Sequence, residues 1–366
     1  MAKVRQMNRP EDLEKLGLEA GKVHAWEDGR RANSVAGVSE VWYFDANLDD
    51  GSKAVFYAHP RSSLKIAEDG DNPDVGVMIT APDGTHHGVP VTMYPAEDCS
   101  FGTEKCDITV GPHTFVGDFA DYDIHIEPID GVGLDLHFHA LVEPFRQGGT
   151  GIIALGDDEE YFYTDVPVAR NRVTGTLTYD GKTVEVTGLG YHDHQWFNIN
   201  PMVAWHHWLW GRMYTENYTV YIYDFVASEQ FGFTPVPFFG LQDNRTGKTV
   251  FATDGTFTRE TTLSHDDTLD RDFPKVSDYV FTNADGAKVE LRVEWVQQLE
   301  TRNNYELADP ATRKALDAMG AKPVYGRYFA NGAVTFTDVD GETVAESGEM
   351  IYEYPYNGTP NPAAKV

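Results

Sequence analysis

Residues 188–210 read GLGYHDHQWFNINPMVAWHHWLW and hold four of the chain's 13 histidines and four of its 7 tryptophans in 23 positions. An extended backbone over Tyr191–Trp196 places His192, His194 and Trp196 on one face and Tyr191, Asp193 and Gln195 on the other, because successive strand side chains alternate. A histidine beside an indole can hold or relay a proton, and the indole face stabilises nearby positive charge. The alternative is a set of hydrogen-bonded core histidines packed under tryptophans. Trp205, His206, His207, Trp208 and Trp210 follow, with Trp208 and Trp210 on one strand face. They form either barrel core or the wall of an aromatic cavity for a large apolar ligand. Tyr221, Tyr223 and Asp224 make the next polar-aromatic strand. A carboxyl among neighbours such as Tyr223, Phe225 and Val226 favours its protonated form and can serve as an acid.

Such residues suit the hydration of an alkene. That reaction needs a neutral acid to protonate carbon, a surface that tolerates a carbocation, and a water held by a base. The expected roles are Asp224 as acid, Trp196 with Tyr221 or Tyr223 as the cation-stabilising wall, and His194, oriented by Asp193, as the group that positions water. Trp42, His192, Trp205, Trp208, Trp210 and Tyr221 are the expected lining of the substrate site. Three other readings compete. A pericyclase or isomerase would fold a polyene into a reactive conformer, with entropy as the main contribution. A carrier would only bind a lipophile, although pure apolar binding needs no cluster of ionisable groups. A metal enzyme is suggested by His137, His139 and Glu143, whose spacing on GVGLDLHFHALVE could ligate Fe, Mn or Zn. No second motif of that kind follows, and the expectation is that the protein uses neither metal nor cofactor. GxGxxG, P-loop, GxSxG and HExxH motifs are absent.

The elements that must position these groups are mostly strands. Period-two or buried apolar runs recur at 38–48, 54–59, 123–128, 134–142, 161–166, 173–179, 183–186, 219–225, 289–296 and 333–338. Asp50-Gly51, Asp83-Gly84, Asp180-Gly181, Asp254-Gly255, Asp285-Gly286 and Asp340-Gly341 carry hairpin chemistry between them. Helical signals are confined to Arg9–Leu18 and Asp309–Met319. The fold class is therefore all-β, built of antiparallel barrels or sandwiches with a few short helices. A chain of 366 residues is about twice a typical domain. An N-terminal extension over 1–34, a first β-domain over 35–188 and a second over 189–366 are expected. The formal charge of −29 repels phosphate backbones and anionic headgroups, which argues against nucleic-acid and membrane-surface roles. Cys99 and Cys106 belong to no CxxC pair. No leader-like or spanning apolar stretch is seen, so a cytoplasmic protein acting on a hydrophobic small molecule is expected.

Ser39–Asp45 (SEVWYFD), the strand pair 173–186 and above all the Gly188–Trp196 run GLGYHDHQW resemble the lipocalin-like carotenoid 1,2-hydratase (hydroxyneurosporene synthase) family. That family is similar in turn to kievitone hydratase and to fungal Diels-Alderases that close decalin rings. The resemblance, over roughly residues 35–355, implies two consecutive lipocalin-like β-barrels. It also implies acid-catalysed addition of water to an isoprenoid double bond. By position it assigns His194 and Trp196 from the HDHxW signature, with Tyr221 or Tyr223 and Asp224 as the later pair. Phe197 replaces the small glycine that commonly follows the tryptophan, and Val41 stands where a second aromatic is frequent.

Overall fold

The computed structural model describes residues 3–62 and 65–364. Along the chain its strands are β1 (Val4–Gln6), β2 (Ser39–Leu48), β3 (Lys53–His59), β4 (Asp74–Thr80), β5 (His86–Met93), β6 (Cys99–Phe101), β7 (Cys106–Val110), β8 (His113–Gly117), β9 (Asp121–Ile129), β10 (Val132–Ala140) and β11 (Ile152–Leu155). They continue with β12 (Tyr161–Tyr179), β13 (Lys182–Phe197), β14 (Trp205–Tyr214), β15 (Tyr218–Ala227), β16 (Pro235–Asp243), β17 (Lys248–Ala252), β18 (Thr256–Asp266), β19 (Arg271–Thr282), β20 (Lys288–Arg302), β21 (Val324–Thr337) and β22 (Thr343–Tyr356). Helices are few and short, as expected. Pro10–Leu16 is one, and Pro310–Ala318 is another, capped by Asp309, whose carboxylate accepts from the Ala311 and Thr312 amides.

Contacts group the chain into two compact units. The amino-terminal unit comprises Leu13–Arg146 and Tyr163–Asn198, and the carboxy-terminal unit comprises Met1–Asp12, Gln147–Phe162 and Ile199–Val366. The boundary expected near residue 188 falls inside β13, whose ladder with β2 runs unbroken from Gly188 to Phe197. Cutting there would sever one continuous set of main-chain hydrogen bonds, so the division comes after Asn198.

The amino-terminal unit carries the strand order β5-β4-β3-β2-β13-β12-β10-β9-β8-β7-β6. Phe44 on β2 and Phe56 on β3 reach Phe115 on β8 at 6.0 and 6.4 Å between ring centres, although these strands are far apart in the order. The sheet is therefore curled around an apolar interior, where Trp42, Phe44, Phe56, Phe115, Tyr122 and Phe138 are buried. In the carboxy-terminal unit the order is β17-β16-β15-β14-β22-β21-β20-β19-β18. Phe239 of β16 stacks on Phe281 of β19 at 4.9 Å, so this sheet curls too. Here β1 pairs antiparallel with β11 from Val4↔Leu155 to Gln6↔Ile153, and the Gln6 amide donates to the Pro237 carbonyl at 2.6 Å. Two curled antiparallel sheets match the all-β, two-barrel expectation.

Turn chemistry closes most hairpins as read. At β12–β13 both Asp180 and Gly181 have positive φ, 51° and 68°, as a two-residue primed turn requires. Asp254-Gly255 is the exception. It joins β17 to β18, the two ends of the strand order, and makes no hairpin. Among the described residues no helix is long and apolar enough to cross a membrane.

Candidate active site

Strand β13 alternates about the dense motif. His192 and His194 enter the interior of the amino-terminal unit, where Phe44 stacks on His192 at 4.0 Å and Trp42 on His194 at 4.4 Å. Trp196, partly buried, lies 4.8 Å from His194 on the same face. Each histidine is saturated. His194 Nδ1 faces the Glu27 carbonyl and Nε2 the Glu40 carboxylate, both at 2.9 Å. His192 Nδ1 faces the Tyr43 carbonyl at 2.9 Å and Nε2 the Asp28 carboxylate at 3.3 Å. A carbonyl only accepts, so both Nδ1 atoms carry hydrogen, and the remaining proton of each pair lies between Nε2 and a carboxyl. Asp28 also accepts from Tyr122 at 2.5 Å, and its carbonyl accepts from the Trp42 indole at 2.8 Å. Burial, then Asp28, pushes the Tyr122 phenol well up. Glu40 takes the backbone amides of Arg31 and Ala32. The network thus ties the Ala25–Asp28 turn and the chain after it to the barrel interior. It leaves neither nitrogen of His194 for a water, and Trp42 serves as a core ring stacked on it.

The opposite face of β13 is different. The Asp193 Oδ2 accepts from the Tyr191 hydroxyl at 2.6 Å and from the Gln195 amide at 2.9 Å, while Oδ1, also buried, has no hydrogen-bond partner. Asp193 therefore does not orient His194, because strand alternation sends the two to opposite faces. Register puts Tyr43 of β2 beside Asp193, and Asp45 beside Tyr191. On the other flank Asp165 of β12 lies opposite Gln195, and Pro167 lies opposite Asp193. The Tyr163 hydroxyl completes the row, donating to the Gln195 side-chain Oε1 at 2.5 Å. Asp45, Asp165, Tyr191 and Asp193 are buried, whereas Tyr43 and Gln195 keep part of their surface. Burial first, and then the Asp165 carboxylate, push the Asp193 carboxyl up to about 8, against the hydrogen bonds from Tyr191 and Gln195. A carboxyl of this kind keeps its proton at neutral pH, and Oδ1 is the oxygen from which it can be given.

In the carboxy-terminal unit, β15 sends Asp224 to one face and Tyr221, Tyr223 and Phe225 to the other. The Asp224 Oδ2 accepts from the Arg259 guanidinium and, at 3.0 Å, from the Tyr279 hydroxyl, while Oδ1 has no partner. Burial, the largest cause, would lower the Arg259 guanidinium, but Asp224, Tyr279 and Tyr354 together outweigh it and the net direction is up. Asp224 thus lies in an ion pair, away from the apolar neighbours that the sequence suggested, and on the face opposite Tyr221 and Tyr223. On β14, His206 Nε2 donates to the Thr359 carbonyl at 2.8 Å, so its bare Nδ1 accepts from His207 Nδ1 at 2.8 Å. His207 Nε2 is left buried without a partner. Burial lowers both histidines, His207 well below its usual range.

The remaining expected residues form one aromatic layer. Trp205 and Trp208 lie 4.5 and 6.1 Å from Phe225, Trp210 lies 6.5 Å from Tyr223, and Tyr221 meets Tyr223 at 5.7 Å. The Arg212 guanidinium sits 5.7 Å from the Trp210 ring. The aromatic cluster is real, but it excludes Asp224.

Residues 87–309 match the sequence profile of the Svf1 family. The chain belongs to the Svf1 family. No curated protein matches it in sequence. Solved structures share its fold. CghA with bound Sch210972 superposes with a TM-score of 0.59 at 12% identity, covering 98% of this chain and 100% of that one. Kievitone hydratase from Nectria haematococca gives 0.53 at 15% identity, covering 92% and 93%. An AttH candidate from Nitrosomonas europaea gives 0.53 at 17% identity, covering 88% and 93%. These neighbours bear out the lipocalin-like fold that the resemblance implies.

On this Svf1-family chain, the strand suggested as a metal site, β10, lies between β12 and β9 and carries histidine–aspartate pairs on its exposed face. His137 Nδ1 meets Asp123, and His139 Nδ1 meets Asp121, each at 2.8 Å. Among the described residues no three His, Cys, Asp or Glu side chains are grouped to hold a metal ion. Sequence reasoning missed Asp165, Asp45, Arg259, Tyr279 and the Asp28–Glu40 pair of histidine partners. Only the Tyr-Thr-Asp-Val-Pro run at 163–167, polar residues inside a strand-like stretch, offered a signal for Asp165.

Proposed function

We propose that this protein adds water across a carbon–carbon double bond of a hydrophobic isoprenoid-like or prenylated substrate, with Asp193 as the general acid. The observation that carries this reading is the Asp193 carboxyl: buried, raised to about 8, and bare at Oδ1. Protonating carbon demands an acid that is neutral at working pH and not already committed to a better acceptor. Tyr191 and Gln195 occupy Oδ2, so the proton belongs on Oδ1. The Tyr43 and Tyr191 rings, 6.2 Å apart, supply π faces beside the developing cation. A structural neighbour named as a hydratase, kievitone hydratase, supports the reaction class. The reaction needs only proton transfers and water, so the proposal invokes no cofactor.

The test is incubation with prenylated and polyene substrates in ¹⁸O-labelled water, read by mass spectrometry. A labelled adduct formed by the wild type and lost in Asp193→Asn is the expected result. A second reading has its own observation. The buried layer of Trp205, Trp210, Tyr221, Tyr223 and Phe225 can hold a folded polyene for cyclisation without an acid. An unlabelled product of equal mass, formed equally well by Asp193→Asn, would establish that reading instead.

A further inference from the structure

We propose that Asp165 is the catalytic base of this hydration: it takes a proton from the attacking water while Asp193 gives one to the alkene. The inference rests on the reading above and supplies its second half. Asp165 of β12 and Asp193 of β13 are diagonal neighbours on one face of an antiparallel pair, with Asp165 opposite Gln195 and Asp193 opposite Pro167. Such diagonal positions lie about 7–8 Å apart along the backbone, a separation that admits a water and a reacting carbon between two carboxyls. Asp165 is fully buried and Asp193 nearly so. Two carboxyls on one dry face cannot both ionise cheaply, and an acid and a base with opposite proton occupancy follow from that conflict.

The other carboxyl on this face, Asp45, faces the Tyr43 hydroxyl at 3.5 Å and stands opposite Tyr191, and the Tyr43 position lies between it and the row of Asp165. His192 acts on Asp193 through space but is turned to the interior, where Tyr43 carbonyl and Asp28 hold it. Asp165 is thus the carboxylate placed to receive a proton.

The step balances as follows. The alkene π pair forms a C–H bond with the Asp193 Oδ1 proton, leaving the Asp193 carboxylate and a carbocation. A water lone pair forms the C–O bond, and Asp165 takes the proton that the oxygen releases. One proton passing from Asp165 back to Asp193 restores the pair, and the sum is alkene plus water giving alcohol.

Deuterium and ¹⁸O separate the two roles. Wild-type enzyme should incorporate both labels from heavy water. Asp165→Asn should lose ¹⁸O incorporation about 10²–10⁴-fold, the usual weight of one acid–base group, yet still exchange deuterium into the recovered alkene. Asp193→Asn should lose both. In Asp165→Ala, added formate should restore ¹⁸O uptake by standing in for the missing carboxylate. Undiminished ¹⁸O uptake in Asp165→Asn overturns the assignment. So does loss of both labels there, which would make Asp165 a support for the acid. A wild type that incorporates neither label overturns the hydration reading itself, so the two failures are distinguishable.

Discussion

Replacing Asp193 with Asn should change how stability depends on pH, by an amount the structure sets. In the fold the Asp193 carboxyl is raised to about 8 from an ordinary value near 3.8. Between those limits the folded protein holds one proton that the unfolded chain has released, so stability falls as pH rises, by about 1.36 kcal/mol per pH unit. The sign follows from a raised value: the contribution is fully present below about pH 4 and gone once pH passes about 8. From pH 5 to pH 7 the wild type should lose roughly 3 kcal/mol that Asp193→Asn does not lose. Urea titrations followed by tryptophan fluorescence at pH 5, 6 and 7 measure the difference directly. Parallel stability curves for the two proteins, within about 0.5 kcal/mol, would refute a buried neutral Asp193 and with it the acid assigned here.

The same carboxyl predicts that turnover of an ¹⁸O-labelled hydration product declines as pH rises through about 8, a limb absent from any residual activity of Asp193→Asn. Glu40→Gln breaks the pair at His194 and should cost about 3–5 kcal/mol in urea denaturation, while kcat/KM at low temperature changes little. Asp224→Asn strands a buried guanidinium at Arg259 and should cost a similar ~3–5 kcal/mol. Adding Arg259→Met should recover much of that loss, so a double-mutant cycle returns a large coupling energy; additive losses would show that the two do not interact. His207, lowered by burial and then by His206 and Arg259, should stay neutral at pH 5, with a bare Nε2 visible in its ¹⁵N chemical shifts.

Local chemistry was legible where a signal repeats along the chain. The two-residue period fixed which of residues 191–196 share a face, and Asp-Gly pairs marked five of the six turns read as hairpins. Asp254-Gly255 has the same composition, but nothing local specifies that its flanking strands end at opposite edges of one sheet. The 19-residue β12 looked like two strands because Pro167 lacks an N–H and the ladder slips between Val168 and Asn171. The partners of His192 and His194 were out of reach for a plainer reason. Asp28 and Glu40 precede them by 164 and 154 residues, and only strand pairing brings them together. Asp165 was hidden likewise by its place on a neighbouring strand. Burial is the first cause of the raised Asp193 carboxyl and Asp165 the second, so Asp193 was picked out in the sequence and its role was not.

The pairing of β1 with β11 has a consequence for synthesis. Residues 3–12 are made before Leu13–Asn198 but belong to the unit completed last, so the strand Val4–Gln6 must wait unpaired until Ile152–Leu155 emerges. Gln6 waits longer still, for Pro237. Leu13–Arg146 and Tyr163–Asn198 can close in the interval. A gene cut after residue 198 would therefore part β1 and β11 from β16, whose Pro237 carbonyl Gln6 holds.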